Sequence, residues 1–212
     1  MATITDLTVQ KRRKDRVNLF LDGEYAFSLS LINAAWLKIG QELSAEKIAK
    51  LQHEEAYERG KEIALRLISN RPRSIKEVKD RMKEKGIDDA VQERVVTRFA
   101  ELDLLDDIAF ARYWIDQRAR FKPRGIPLLQ QELRQKGVDQ QIIQDLLNEL
   151  DNSSAAMQAA EKKARTLAHY PEEEFRKKLS GFLQRRGFYY EEIRTAVDSA
   201  WQQIGITDEG DN

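Results

Sequence analysis

Arg118, Arg120, Lys122 and Arg124 occupy alternate positions of one short stretch, and no carboxylate interrupts them. Further cations stand at Arg71, Arg73, Lys79 and Lys83 upstream, and at Lys136, Lys177, Arg185 and Arg186 downstream. Guanidinium and ammonium groups pair with phosphates and carboxylates, so they suit the holding of a polyanion or an acidic surface. Side chains that make and break bonds are scarce. There is no Cys, which excludes a thiolate nucleophile, a disulfide and a Cys-ligated metal. His53 and His169 are the two histidines and lie 116 residues apart, so a His-based catalytic or zinc site is not expected. The sequence has no Gly-rich phosphate loop, no nucleophile elbow and no His-Glu metal pair. Asp106 and Asp107 are neighbours and would point about 100° apart on a helix, which makes a poor chelate. One reads as an N-cap and the other as a favourable charge at a helix N-terminus. Glu172-Glu173-Glu174, after Pro171, reads as another first turn. No catalytic residue, no metal site and no cofactor is expected.

Elements must hold those cations in place, and composition says which kind. Charged residues make up 34% of the 212, against about 25% for an average soluble domain. That mix suits a helix-rich chain with much surface. Lys+Arg and Asp+Glu are both 36, so a globally basic nucleic-acid binder is excluded and a local basic face is not. The N-terminus is charged where a signal peptide would be apolar. The uncharged run Ala26 to Leu37 is too short and polar to span a bilayer. A cytoplasmic monomer with no membrane contact is expected.

Val17, Leu19 and Leu21, then Tyr25, Phe27 and Leu29, alternate about Asp22-Gly23. This predicts a β-hairpin with a type I′ turn. Ile4 to Gln10 could add a third strand, with Lys11 to Arg16 as a charged loop, and Leu31 to Lys38 reads as a short helix ending at Gly40. From Ser44, a plausible N-cap, the period becomes helical.

A repeat then emerges. Gly86, Gly137 and Gly187 are spaced by 51 and 50 residues. Val78, Leu129 and Leu179 stand eight residues before each glycine, and Met82, Leu133 and Leu183 four before. Ile87, Val138 and Phe188 follow directly, and Val96, Leu147 and Val197 stand ten after. Such a period marks a repeated supersecondary unit. Each repeat reads as three helices: first helices near 54–71, 107–121 and 155–169, middle helices ending at the glycines, third helices near 88–104, 139–150 and 190–204. The expected fold is mainly α, with three tandem three-helix repeats in an elongated curved array and an N-terminal β-hairpin extension. The boundaries are 1–43 for the hairpin and short helix, 44–105, 106–152 and 153–206 for the repeats, and 207–212 for a disordered tail. Phe110, Tyr113, Trp114 and Phe121 follow helical spacing and read as core in preference to base-stacking platforms, and Trp36 and Trp201 read as core or inter-unit packing.

Charge is dipolar inside each repeat. The balance is +5 over 66–85, over 112–136 and over 162–186, and it reverses to −5 over 87–108, −4 over 138–151 and −2 over 188–200. Some of this offsets helix dipoles, since Lys83, Lys85, Lys136, Arg185 and Arg186 lie in last turns. Cations in the connections have no such account, and a polyanion or acidic filament would select them. Arg118, Arg120 and Arg124 are expected to be solvated, so that reversing them would leave folding intact.

The run Asp106-Asp107-Ile108-Ala109-Phe110-Ala111, with Arg118, Gly125-Ile126-Pro127 and Glu132-Leu133-Arg134-Gln135-Lys136-Gly137, resembles the RecX family. Met82-Lys83-Glu84-Lys85-Gly86 with Leu102 to Asp107 is similar to the family's first repeat, and Arg185-Arg186-Gly187-Phe188 to its third. The resemblance implies three three-helix repeats, no catalysis, and binding to the filament that the recombinase RecA forms on single-stranded DNA. Its ATPase, strand exchange and SOS co-protease activities would be inhibited. On that reading Arg71, Arg73, Lys79, Lys83, Arg118, Arg120, Lys122, Arg124, Lys136, Lys177, Arg185 and Arg186 would meet recombinase carboxylates or DNA phosphates. Asp106 and Phe110, with Gly86, Gly137 and Gly187, would set structural junctions. The alternative is a DNA-binding regulator using one three-helix, helix-turn-helix-like unit, which the acidic third helices argue against.

Overall fold

The structure is a computed structural model describing residues 1–209, with side chains described as far as residue 204. It divides into two compact units, Met1–Arg71 with Val78–Leu105, and Pro72–Glu77 with Asp106–Asn212.

In the first unit the alternating N-terminal residues form β1 (Ala2–Val9), β2 (Arg16–Leu21) and β3 (Glu24–Ser30). Asp22 and Gly23 both have positive φ, 52° and 89°, as the type I′ turn requires. The hairpin is part of a larger sheet. A short strand, β4 (Glu42–Leu43), pairs with β1, giving four antiparallel strands in the order β3-β2-β1-β4. Two strands alone are marginal in water, and this sheet has one face to bury. Ile4, Val17, Leu19, Leu29 and Leu43 form that face. α1 (Leu31–Ala34) is a single turn, half the expected length, capped by Ser30. α2 (Ala45–Ile68) runs unbroken from its N-cap Ser44, whose hydroxyl accepts from Lys47 N. It starts at the expected cap and runs on without a break through the first helix placed near 54–71, and its Ile48 and Leu51 pack on the sheet core.

Two side chains in this unit stand where the sequence did not place them. Arg16 is not in a solvated loop: it opens β2, is buried, and pairs with buried Glu55 at 2.6 Å. Trp36 is not core but 86% exposed, because the helix that would have turned it inward ends at Ala34.

The repeats follow the predicted register. α3 (Ile75–Glu84) and α4 (Asp89–Glu101) complete the first; α5 (Asp107–Phe121), α6 (Ile126–Gln135) and α7 (Gln140–Asn148) form the second. α8 (Asn152–Ala164), α9 (Glu172–Arg185) and α10 (Tyr190–Glu209) form the third. All twelve matched apolar positions are buried. Gly86, Gly137 and Gly187 have φ of 73°, 79° and 81°. The residue after each donates to the carbonyl of Met82, Leu133 or Leu183, the 6→1 bond of a Schellman cap. Asp88 and Asp139 cap α4 and α7 as expected. The third repeat has no Asp there, and Glu192 reaches back to Tyr189 N at 2.8 Å instead.

Phe110 is fully buried in the second repeat's core, whereas Phe121 is 73% exposed. α5 has 15 residues against 10 and 9 in α6 and α7, so its last turn outruns them. Trp201 packs on Phe175 with ring centroids 5.1 Å apart. α10 extends to Glu209, into the segment 207–212 expected to be disordered; 210–212 lie outside the described residues.

Candidate basic interface

Glu132, on α6, organises the cations of the second unit. Its Oε2 accepts from Trp114 Nε1 and from Arg118 Nε, both at 2.8 Å. Arg124 Nε lies 3.1 Å from its Oε1, close enough for an ion pair but without hydrogen-bond alignment. The Arg118 guanidinium lies 4.5 Å from the Trp114 ring centroid and Lys136 Nζ 5.0 Å from it, so the indole face is shared by two cations. Lys136 also reaches Glu77 at 2.5 Å, and Arg73 Nη1 stands 3.9 Å from the same carboxylate. Arg186 covers the Phe182 ring at 4.4 Å and donates to Pro123 O at 3.0 Å. Burial pushes the Arg186 guanidinium below its ordinary pKa, and nearby Arg124 adds to that shift.

Arg73, Arg118, Arg124 and Lys136 thus meet two carboxylates, Glu77 and Glu132, with Arg186 near Arg124, and positive charge is left in excess. The cluster exists because α5 places Trp114 and Arg118 one turn apart, while the Pro123 to Gly125 connection brings Arg124 to α6. Half-buried ions held this way are costly to unpair. They set the field of the surface while serving as structure.

This sorts the twelve predicted cations. Arg118 and Arg124 are not solvated: their side chains keep 25% and 29% exposure. Reversing them would strand Glu132 against new carboxylates, so folding would suffer. In the first unit Lys79 pairs with Glu93 at 2.6 Å, and Arg71 is half-buried. Arg120 is 68% exposed with Asp116 beside it at 2.9 Å. Lys83, Lys122, Lys177 and Arg185 are exposed and, among the described residues, have no ion-pair partner within 4 Å.

The junction residues also sort. Asp106 caps α5, accepting from Ile108 N at 2.7 Å, and Phe110 belongs to the second core. The residue that fastens repeats is the neighbour, Asp107, which accepts from Ile75 N at 2.8 Å. Gly137 and Gly187 are contact points as well as caps: a Cβ there would lie 2.6 Å from Lys76 Cβ and 2.7 Å from Leu128 Cβ. Sequence reasoning missed Trp114, Glu132, Asp107 and Asn152 as organisers. Trp114 and Arg118 at i, i+4, with a lone carboxylate 14 residues on, were the available signal.

Among the described residues no group of three His, Cys, Asp or Glu could hold a metal ion, and no helix is long and apolar enough to cross a membrane.

Four family models match in order along the chain. They are the regulatory protein RecX N-terminal domain over residues 2–44 and the RecX first, second and third three-helix domains over 61–99, 106–147 and 151–197. The regulatory protein RecX of Clostridium botulinum (strain Eklund 17B / Type B) is 32% identical over 207 residues, covering 94% of this chain and 97% of the relative. That of Clostridium tetani (strain Massachusetts / E88) is 33% identical over 202 residues, covering 92% and 93%. A crystal structure of regulatory protein RecX superposes with a TM-score of 0.66 at 26% identity, over 93% of this chain and all of the other. RecX from Lactobacillus salivarius, 24% identical, shares the fold with a TM-score of 0.59 over 69% of this chain. A sheet followed by three glycine-closed helical repeats, with relatives matching nearly end to end, makes this chain a member of the RecX family of regulatory proteins.

Proposed function

We propose that this protein regulates a RecA recombinase by binding the filament formed on single-stranded DNA. Binding lowers ATP hydrolysis, strand exchange and SOS co-protease activity, and the protein hydrolyses no ATP itself. It acts in the cytoplasm as a monomer, needs no cofactor, and meets single-stranded DNA directly or through the filament. The observation that carries this reading is the excess of positive charge about Glu132, which leaves Arg120 and Lys122 exposed on the same unit. Recombinase carboxylates and DNA phosphates are the groups such a surface would meet. Family membership supplies the regulatory role.

The test is recombinase ATPase and filament affinity over a salt series. Each exposed cation contributes about 0–1 kcal/mol, so single reversals of Lys83, Arg120, Lys122, Lys177 or Arg185 change affinity only severalfold. Reversing Arg120, Lys122, Lys177 and Arg185 together lowers it by roughly tenfold or more, through loss of avidity. Full recombinase turnover at excess protein refutes the regulatory target. A salt-insensitive affinity, unchanged in the fourfold variant, refutes the basic interface. Equal affinity for bare duplex DNA supports the helix-turn-helix alternative.

A further inference from the structure

The first unit exposes apolar surface that its own fold does not use. Ile32 is 73% exposed, Trp36 86% and Ile39 64%, all within eight residues. Large apolar side chains grouped on a surface mark contact sites more often than isolated ones do. The segment is also held in place. Leu37 N donates to Ala34 O within the segment, and Gly40 N donates to Ile4 O at 2.8 Å and Ile4 N to Gln41 O at 2.9 Å, tying its C-terminal end to the sheet. Trp36 is therefore presented by a pinned loop. Beside it lies a cavity of about 270 Å³ that Ile32 and Trp36 line together with Lys47 and Lys50 of α2. Glu54 is the one carboxylate among its described lining residues, and Arg94 engages both its oxygens at 2.9 and 3.2 Å. Lys38, Lys47 and Lys50 are exposed and make no ion pair within 4 Å among the described residues. The face is apolar at its centre and positive at its edge.

We propose that this face is a docking site for an acidic protein segment carrying one large apolar side chain. The side chain enters the cavity against Ile32 and Trp36, and the flanking carboxylates meet Lys38, Lys47 and Lys50. Charge complementarity selects an acidic occupant. The lining favours polypeptide over single-stranded nucleic acid: it offers one aromatic plane among aliphatic groups, and lysines without an arginine fork. The site lies in the first unit and does not depend on the basic cluster about Glu132.

The test uses the full chain and a labelled peptide of Asp and Glu around a single central Phe. The controls are the same peptide with Asn and Gln for the acids, the same peptide with Ala for Phe, and a labelled oligothymidine. The acidic peptide binds and shifts Trp36 emission to the blue. Both peptide controls bind at least about tenfold more weakly, a difference of about 1.4 kcal/mol. W36A and the double variant K47E/K50E lose affinity by a similar factor, with unchanged circular dichroism, since these side chains are exposed. Failure of the peptide to bind overturns the proposal, as does undiminished binding by both variants. Oligothymidine displacing the peptide would assign the face to nucleic acid. Concentration-dependent self-association that shields Trp36 without peptide would assign it to a second copy. Either result overturns the acidic-segment reading.

Discussion

The amide of Ile75, opening α3, donates to the carboxylate of Asp107, the first residue of α5. Fifty-one residues on, the amide of Ile126, opening α6, donates at 3.1 Å to the side-chain oxygen of Asn152, the first residue of α8. Both fastenings lie within the second unit. In each, a free amide at a middle-helix N-terminus is satisfied by the next repeat's first residue. The chemistry differs. Asp107 brings a charge, and burial pushes its pKa above the ordinary Asp value, with Asp106 adding a smaller push the same way. Asn152 brings no charge, and its amide nitrogen donates onward to Glu192 at 2.6 Å. The cations diverge as well: Lys136 pairs with Glu77 at the first fastening, and Arg186 meets the Pro123 carbonyl at the second. Backbone geometry sets where an acceptor must stand, and a neutral amide fills that place without desolvating a charge.

The strongest way to break the second fastening is at Gly125. A Cβ there would stand 2.0 Å from the Gly187 carbonyl oxygen, and Gly125 N donates to Arg186 O. Backbone cannot move aside as a side chain can, so G125A costs about 3 kcal/mol or more in denaturant melts. An effect below about 1 kcal/mol would mean that the two backbones do not meet.

Next comes Glu132, whose two oxygens serve Trp114, Arg118 and Arg124. E132A leaves half-buried donors unpaired and costs about 1–3 kcal/mol. R120E, on an exposed position of α5, changes stability by about 0.5 kcal/mol at most. Equal losses in both would show that the cluster is solvated after all.

The matched glycines separate cap from contact. G86A meets nothing within 4 Å and carries only the left-handed strain, about 1–2 kcal/mol. G187A adds the clash with Leu128 and should cost roughly 1 kcal/mol more. Indistinguishable melts would reduce Gly187 to a helix cap.

The smallest effect tests the comparison itself. D107N copies the neutral acceptor of the second fastening. A raised native pKa means that the folded state binds a proton more tightly than the unfolded one, so this contribution is present at low pH and is lost as pH rises through the raised value. Replacement by Asn removes that loss. The stability of D107N relative to wild type should therefore increase from acid toward neutral pH, while D107A loses the acceptor of the Ile75 amide and about 1 kcal/mol. A D107N difference that does not change with pH would show that Asp107 is not desolvated.

Much of the fold was legible because its determinants are local. A left-handed glycine and an apolar stripe at helical spacing act within a few residues of chain and recur in all three repeats, and an Asp one residue before the third helix does the same in the first two. The hairpin was legible from Asp22-Gly23 for the same reason. The two-residue strand β4 was not, since Glu42 and Leu43 have no pattern of their own and become a strand only by meeting Ala2 and Thr3.

The candidate surface was legible as a set of residues and not as a set of roles. Arg118 and Arg120 are of one type, two positions apart, yet the first keeps 25% of its side chain exposed and the second 68%. Two helical residues point about 200° apart, so one meets Glu132 across the repeat and the other meets solvent. Trp36 shows the converse, an aromatic assigned by type to the core or to inter-unit packing and left outside by the end of α1. The sequence by itself determined the register of the repeats, their helix ends and the places where charge accumulates, since each depends on neighbours along the chain. The tertiary structure alone decided which cations are framework and which are free, because that depends on the side chain a different helix places opposite.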